Sequence, residues 1–574
     1  MKRSGVIALL FLSGLFGVAS DAAAHGGLFR QSSGNSQSPP PPSGNPNANA
    51  NVPGSIAARE NAPAVPGSAP TLAFSEERWE FWWEFNHDAL VNLRPSLRNA
   101  QPPAGGAAFA PLLPEDRAQV IFPALVQLLR DEDELVRSAA VYALARLEDE
   151  STLPYLSNAA VGDPSLAVRS NAVLSLGLAR NPKATDRLRT TFFDERVPDE
   201  VRAMAAVALG VSGIPEANAV LRDALAGGAE SRLPHTLKQA AIYAMGLSTD
   251  PGNAPFLRTY LQARGHDDFE HALAVEALGR IGDRAANPTL VAALAADATP
   301  IRRSAAIALG VVARPDDADV VRALERACAD DSDGVVRSFA NLSLGRIASY
   351  GAPAIVDRLK ARLKSASTRE RPFVALAIGL SGYQSALPEL MAQFKAEAAA
   401  SPRGALAVAI ALLDQKEAGH ELFAAFEQAS DPTLRGYLAW ALGRLGVQEA
   451  TPALKKQLAD SNDPQVLHWT ALGLALLGDR GTVTFVEELY RKDRELVNRS
   501  GYLHALGAIG DKETAPFLIE VAKRKDEVDY ARAFATASLG MLCDDARAPL
   551  AASFARDHNY TMSLTFLPEL YYLF

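Results

Sequence analysis

The chain has 574 residues, 48% of them hydrophobic, a formal net charge of −9 and two cysteines. Because one compact hydrophobic core rarely extends beyond about 300 residues, this length predicts either several domains or a repeating architecture. The acidic balance and the lack of long Lys/Arg runs argue against a nucleic-acid-binding surface, and two distant cysteines supply neither a disulfide framework nor a metal-type spacing.

Residues 1–24 have the pattern of a secretory signal peptide. Two basic residues precede an apolar stretch from Val6 to Val18, and Ala22-Ala-Ala24 fits a small-residue cleavage site. The apolar stretch is short for a membrane span, and no other segment is a candidate for one. We therefore expect an exported protein, periplasmic or extracellular, with no integral membrane segment in the mature chain.

Residues 25–72 are rich in Pro, Gly, Ser, Asn and Ala. This composition predicts a flexible tether, because it cannot bury enough apolar surface to offset the entropy of ordering. Signal-peptide cleavage would leave His25 as the first residue, and its amine and imidazole together could chelate copper. Whether His25 binds copper stays open at this point.

Residues 73–114 contain an aromatic block followed by a Pro/Gly/Ala connector. The block includes Trp79, Trp82 and Trp83, three of the five tryptophans of the chain. We interpret it as an N-terminal cap over the first unit of the repeat array that follows, since terminal repeats need special covering. The alternative is an aromatic patch that contacts a partner.

From about residue 115 to 545 a ten-residue pattern recurs. Clear copies are Val201-Arg-Ala-Met-Ala-Ala-Val-Ala-Leu-Gly210 and Ile301-Arg-Arg-Ser-Ala-Ala-Ile-Ala-Leu-Gly310. The final Gly, or its equivalent, occurs thirteen times at intervals of 30 to 36 residues. Apolar residues recur at helical spacing and Asp-Pro pairs mark helix starts. This predicts an all-α fold, an α-solenoid superhelix of about thirteen helix pairs, with residues 546–574 as a C-terminal cap.

The pattern Asp…Val-Arg-x-x-Ala-x-x-Ala-Leu-Gly resembles the second helix of HEAT repeats, in particular the short type also found in phycobilin lyases. HEAT arrays mostly hold partners, so the resemblance implies a fold rather than an activity. The aromatic block after its linker also resembles an uncharacterised group of exported bacterial HEAT-repeat proteins. Deoxyhypusine hydroxylase, another HEAT-type array, needs His-Glu pairs repeated on its inner helices, whereas here only His420-Glu421 has that order. We do not expect that activity.

Two positions of the repeat are candidates for partner binding. Three residues before the Gly stand Tyr142, Tyr243, Glu276, Trp440 and His504, and one residue after it stand Arg146, Arg280, Arg346 and Arg444. The two positions are four residues apart and therefore share a helical face. If that face looks into the concave groove it is a contact surface, and if it faces the next repeat it is core; the spacing leaves both open.

Eight residues before the Gly, ten of the thirteen repeats carry Lys or Arg. We interpret this row as a structural ladder that pairs with acidic residues of the turns, such as Asp131 and Asp331, rather than as an anion site. His468 and His504 occupy nearby positions in adjacent repeats and are expected to approach each other as packing residues.

We therefore expect an exported, non-catalytic HEAT-repeat scaffold that binds a protein partner through its concave groove. No catalytic residue, metal or cofactor is expected, nor a nucleic acid or small-molecule ligand. The alternative is an enzyme or metal-binding protein of the HEAT-like type, with His25 or the pair His468 and His504 as candidate ligands. A structural component of the cell envelope is a third possibility.

Overall fold

The computed structural model describes residues 78–100, 102, 106–226, 233–263, 265, 267–544 and 554–562. All of them belong to one unit, Ser75–Phe574. The predicted signal peptide, the predicted tether with His25, and most of the expected C-terminal cap lie outside the described residues.

Helices α1 (Trp79–Val91) and α2 (Leu93–Asn99) precede a series of helix pairs that we number as repeats 1 to 13. The first helices of the pairs are α3 (Phe122–Leu128), α5 (Leu153–Gly162), α7 (Thr185–Phe193), α9 (Pro215–Leu225), α11 (Asn253–Gln262), α13 (Asn287–Leu294), α15 (Ala318–Asp330), α17 (Pro353–Ser365), α19 (Leu387–Ala396), α21 (Gly419–Gln428), α23 (Thr451–Asp460), α25 (Gly481–Lys492) and α27 (Thr514–Lys523). The second helices are α4 (Glu134–Ala145), α6 (Leu166–Leu178), α8 (Asp199–Val211), α10 (His235–Ser248), α12 (Asp268–Ile281), α14 (Thr299–Val312), α16 (Gly334–Ala348), α18 (Arg371–Ser381), α20 (Ala400–Leu412), α22 (Pro432–Leu445), α24 (Pro464–Leu476), α26 (Leu496–Ile509) and α28 (Asp529–Leu542). The predicted all-α solenoid of thirteen helix pairs is confirmed.

The two helices of a pair form two layers. Second helices are buried on nearly every side, as in α8, where every residue from Val201 to Val211 is buried. First helices bury one stripe, as in α7, where only Leu188 and Phe192 are buried. The second helices are therefore the inner layer, and the amphipathic first helices form the outer layer around them.

The array closes on itself. Each inner helix packs against the next, and α28 of repeat 13 packs against α4 of repeat 1. A Cβ atom added to Gly540 in α28 would lie 2.8 Å from the Cα atom of Ala143 in α4. The internal interface between repeats 5 and 6 has the same close approach, with 2.6 Å from Gly279 to Ala308. The repeats thus form a ring, and the seam has the same kind of contact as the internal interfaces.

The predicted arginine ladder is present and also continues across the seam. Arg302 Nε lies 2.9 Å from an oxygen of Asp331 in the turn of the next repeat, and its Nη1 donates to the carbonyl of Ala296 at the end of its own outer helix. At the seam Arg532 of repeat 13 pairs in the same way with Asp131 of repeat 1. The ladder therefore joins several repeats to the next one, among them repeats 6 and 7 and the two repeats at the seam, as its structural interpretation requires.

Candidate functional site

The centre of the ring is occupied by the chain itself. Helices α1 and α2 and residues 554–562, together called the central plug, contact the inner helices from within. Trp79 Nε1 donates to Ser401 Oγ of α20 over 3.0 Å, and the ring of Tyr560 lies 5.5 Å from that of Phe339 in α16. The aromatic stretch, expected to cover the first repeat, instead contacts repeats 9 to 11 at the ring centre, because its large rings fill the space that the closed array encloses.

The three tryptophans considered as an aromatic contact patch are buried. Trp79, Trp82 and Trp83 expose only 2%, 7% and 0% of their surface. The ring centroid of Trp83 lies 5.2 Å from that of Trp440 and 5.9 Å from that of Trp469. All five tryptophans of the chain therefore lie where the plug meets the ring.

The face that carries the candidate partner-binding residues looks into the ring. Tyr243 Oη donates to the carbonyl of Phe554 over 2.9 Å. Glu276 accepts from His558 Nδ1 at 2.8 Å and from the backbone nitrogen of Asn559 at 3.0 Å. The face thus points inward, as one of the two sequence-based interpretations has it, but the chain's own segments cover it.

The remaining candidates follow the same arrangement. Tyr142 is buried next to the seam, and burial raises the pKa of its hydroxyl group. Trp440 is fully buried, and the ring of His504 lies 4.7 Å from that of His468. Arg444 is half-buried, and its Nε has no hydrogen-bond partner among the described residues. As a set these residues are not a free surface.

The arginines that follow the repeat Gly hold the C-terminal part of the chain. Arg146 pairs with Asp544, Arg280 Nη2 donates to the carbonyl of Phe554 at 2.8 Å, and Arg346 Nη1 lies 2.6 Å from Asp557. Each is a charge-assisted contact, which is stronger than a neutral hydrogen bond. The contacts of Arg280 and Arg346 fix the plug against two inner helices, and that of Arg146 joins α4 to the end of α28 across the seam.

Arg94 in α2 attaches the plug to repeats 12 and 13. Its guanidinium donates to the backbone carbonyl of Gly507 at 3.0 Å and to the carbonyls of Met541 and Asp544. Carbonyls at the end of a helix lack a helical N–H partner, and the helix dipole favours a cation there. No local sequence pattern indicated this role, because the acceptors lie more than 400 residues away along the chain.

Three histidines lie close together inside the plugged centre. His87 of α1 packs against Trp469, and His468 and His504 face each other from adjacent inner helices. Burial, followed by the neighbouring histidines, holds the pKa of His468 well below its ordinary value. The only set of three potential ligand atoms within 4.8 Å among the described residues lies elsewhere, so this geometry does not favour His468 and His504 as a metal pair.

Exposed apolar side chains concentrate on one edge of the ring. Outer and inner helices alternate in direction, so all outer-to-inner turns lie on one edge, here called the turn rim. Of nine exposed large hydrophobic side chains among the described residues, six lie on the turn rim: Val528, Leu135, Val161, Leu166, Phe193 and Phe269. They belong to repeats 13, 1, 2, 3 and 5, and we call this stretch the rim arc. Because the seam brings repeat 13 next to repeat 1, five of the six residues lie on the neighbouring repeats 13, 1, 2 and 3, and Phe269 lies on repeat 5.

The rim arc is also acidic. The turn before α4 reads Asp131-Glu-Asp-Glu134, and exposed acids flank two of the other apolar residues, Glu195 near Phe193 and Asp268 beside Phe269. Among the described residues, neither Glu195 nor Asp268 takes part in an ion pair, whereas the basic Arg196 pairs with Asp194 at 2.8 Å. The arc therefore combines exposed apolar groups with uncompensated negative charge.

A match to a family of repeats supports the fold, and two solved structures match part of the chain. The family described as HEAT repeats matches residues 122–200, 267–345 and 420–506. Human deoxyhypusine hydroxylase in complex with glycerol matches at 22% identity and a TM-score of 0.22, over 46% of this chain and 96% of that chain. The complex of CpcE and CpcF of phycocyanin lyase from Nostoc sp. PCC7120 matches at 20% identity and a TM-score of 0.29, over 47% of this chain and 95% of that chain. No curated protein sequence matches significantly. None of the helices described is both long and apolar enough to cross a membrane.

Proposed function

We propose that this chain, which is a HEAT-repeat protein, is a non-catalytic scaffold that binds a protein partner through the rim arc. The observation that carries the proposal is the concentration of six exposed apolar side chains on one edge of repeats 13, 1, 2, 3 and 5. Soluble proteins rarely leave such residues grouped without a partner, because grouped apolar surface is unfavourable in water.

The turn rim replaces the concave groove as the binding surface in this proposal. The groove face is occupied by the central plug through buried hydrogen bonds and aromatic contacts, such as that between Tyr243 and Phe554. A partner that entered there would have to break these contacts first. A partner on the rim arc would need no rearrangement of the ring, which favours rigid-body docking.

The charge of the arc defines the partner's chemistry. Apolar side chains flanked by Glu132, Glu134, Glu195 and Asp268 fit a segment that presents apolar and basic residues together. Complementary charge steers such a partner and speeds its association, and the effect weakens as salt screens it. We expect the association rate to fall with rising ionic strength.

Export is part of the proposal and rests on residues 1–24. A charged start, a short apolar stretch and Ala22-Ala-Ala24 support secretion to a periplasmic or extracellular site. Mass spectrometry of the N-terminus of the secreted protein tests it. A mature chain that begins at His25 supports export, whereas an intact Met1 on protein recovered from the cytoplasm contradicts it.

Site-specific photocrosslinking in the native cell tests the rim arc. A photoreactive amino acid at Phe193 or at Phe269 should give an adduct of the same mass, since both lie on the arc. Tyr350, which is exposed on the opposite edge, is the matched control and should give no such adduct. Equal adducts from Tyr350, or adducts only from a position in the plug, would overturn the proposal.

A further inference from the structure

A histidine and two carboxylates converge where repeats 4 and 5 meet on the turn rim. His235 is the first residue of α10, Asp267 precedes α12, and Glu270 lies in the first turn of α12. His235 Nδ1 lies 3.2 Å from Asp267 Oδ2 and 3.0 Å from Glu270 Oε1. One ligand atom from each side chain lies within 4.8 Å of the others. Nothing in the scaffold function requires this convergence.

Both carboxylates are held in place by their other oxygen atoms. Asp267 Oδ1 accepts the backbone N–H of Glu270 at 2.7 Å, as the cap of α12. Glu270 Oε2 accepts the hydroxyl of Tyr260 at 3.1 Å. Each carboxylate therefore uses one oxygen for the protein scaffold and turns the second toward the same imidazole nitrogen. Such supporting contacts are typical of carboxylates that bind metal ions.

Two carboxylate oxygens from different side chains converge on one imidazole nitrogen. Nδ1 carries at most one proton, so a hydrogen bond there would be shared between both oxygen atoms. In a tetrahedral zinc site with bonds of about 2.0–2.1 Å, neighbouring ligand atoms lie about 3.3 Å apart. The two nitrogen–oxygen distances of 3.0 and 3.2 Å are close to that separation. A cation between the three atoms would satisfy all of them at once.

We propose that His235, Asp267 and Glu270 bind a divalent first-row transition metal ion such as Zn²⁺. A neutral imidazole with two carboxylates suits such an ion better than Ca²⁺ or Mg²⁺, which prefer oxygen ligands only. The His235 side chain is 73% exposed and Glu270 is buried, so the site opens to solvent on one side, where water completes the coordination. The ion would join repeats 4 and 5, independently of any protein partner.

Zinc binding to the full mature chain, without a histidine tag, tests the site. Isothermal titration calorimetry with Zn²⁺ should give one ion per chain that the His235→Ala variant binds at least about tenfold more weakly. Thermal unfolding should shift upward with Zn²⁺ in the unaltered protein, because the ion binds only the folded form, and this shift should be absent in His235→Ala. Tyr260→Phe should weaken binding about tenfold, since it frees the supporting contact to Glu270.

His420→Ala is the matched control. His420 is exposed and lies 3.3 Å from one carboxylate, that of Glu449, and the described residues place no third ligand beside them. Its replacement should leave zinc affinity and stoichiometry unchanged. Equal zinc affinity in His235→Ala and the unaltered protein would overturn the proposal, as would the absence of binding at millimolar Zn²⁺; the three side chains would then form a hydrogen-bonded network only.

Discussion

Glycines in the last turns of the inner helices decide how closely neighbouring repeats approach. A Cβ atom added to Gly279 would lie 2.6 Å from the backbone Cα atom of Ala308, a distance that backbone atoms cannot relieve by a rotamer change. Gly162 is different, because nothing lies within 4 Å of the position where its Cβ atom would be. The absence of a side chain matters at the first site and not at the second.

This difference predicts opposite effects of one substitution. Gly279→Ala should lower the free energy of unfolding by about 1–3 kcal/mol, because the added methyl group overpacks the interface between repeats 5 and 6. Gly162→Ala, the control, should change it by less than about 1 kcal/mol and in the stabilising direction, since alanine favours helix. Denaturant titration followed by circular dichroism measures both. Equal destabilisation of the two variants would contradict the close-approach explanation.

Glu84 in α1 predicts a pH dependence of plug stability. Burial raises the pKa of Glu84 from 4.5 to about 7, against the opposing influence of His87. Because the folded-state pKa lies above the ordinary value, the folded form loses stability as the pH rises from about 4.5 to about 7. Glu84→Gln should remove this loss, and should stabilise the protein at pH 8 by up to about 3 kcal/mol but not at pH 4.

Thermal unfolding of Glu84→Gln across pH 4 to 8 checks this expectation. Gln465 Nε2 donates to Glu84 over 2.9 Å, and a glutamine side chain keeps an oxygen acceptor for that bond. Glu132→Gln on the exposed turn rim is the control and should show no comparable rise with pH. A gain for Glu84→Gln that is the same at every pH would show that the carboxylate charge is not the cause.

The spacing of residues predicted the roles that they have within the repeat. It did not predict the contacts that they make with segments outside the repeat array. A cation eight residues before the Gly in ten of thirteen repeats must recur at one place in those repeats, so the ladder of Arg302 and its equivalents followed from the sequence. The surroundings of Tyr243 and Trp440 did not, because the partners Phe554 and Trp83 come from segments that no repeat spacing describes. The spacing placed these residues on one helical face, but it left open where that face points and what covers it.

At the scale of elements, helix α1 shows the same limit of prediction from the sequence. It precedes the first repeat in the chain, and a stretch in that place is expected to cover the first repeat. Its hydrogen bond from Trp79 to Ser401 instead joins residues 322 positions apart. Aromatic density predicts that a helix will be buried, but a local pattern carries no information about which distant surface buries it.

The plug should contribute strongly to stability through its central aromatic residue. Trp83→Ala removes a fully buried ring between Trp440 and Trp469 and should cost about 3–5 kcal/mol. Tyr350→Ala, at an exposed aromatic residue that stacks on Arg314, should cost about 1 kcal/mol or less. Differential scanning calorimetry measures both. A loss below about 1 kcal/mol for Trp83→Ala would mean that the plug is not docked in solution.

At the scale of the whole molecule, closure replaces the two ends that an open solenoid must cover. The thirteen repeats turn by an average of about 28° each to complete the ring, as nearest-neighbour interfaces in a solenoid dictate. Small differences in this rotation add up over thirteen interfaces and decide whether the array closes. The same repeat pattern is therefore compatible with an open spiral and with a closed ring. The sequence therefore predicted the solenoid but not its closure.

The seam should be a distinct weak point, since no covalent link joins α28 to α4. Asp131 and Arg532 are 5% and 3% exposed, and their contact, with that of Lys525, overcomes the effect of burial and lowers the pKa of Asp131 to about 2. Asp131→Ala leaves Arg532 without this partner and should cost about 3–5 kcal/mol. Hydrogen exchange should then accelerate selectively in α4 and α28.

Asp331→Ala is the control for the seam. Asp331 pairs with Arg302 and accepts a backbone N–H two residues on, as Asp131 does, but the chain itself connects the two repeats. Its removal should destabilise without opening the ring, and exchange should rise only near that interface. The same local pattern for both aspartates would argue that the seam is no weaker than an internal interface.

The grouping of the tryptophans gives the protein a built-in optical probe. Since all five lie where the plug meets the ring, the intrinsic fluorescence emitted on excitation of tryptophan comes from that contact alone. Release of the plug would expose these indoles to water and shift their emission to longer wavelength, while far-ultraviolet circular dichroism, dominated by the ring helices, stayed constant. The two signals together separate departure of the plug from unfolding of the repeats, in an unlabelled protein.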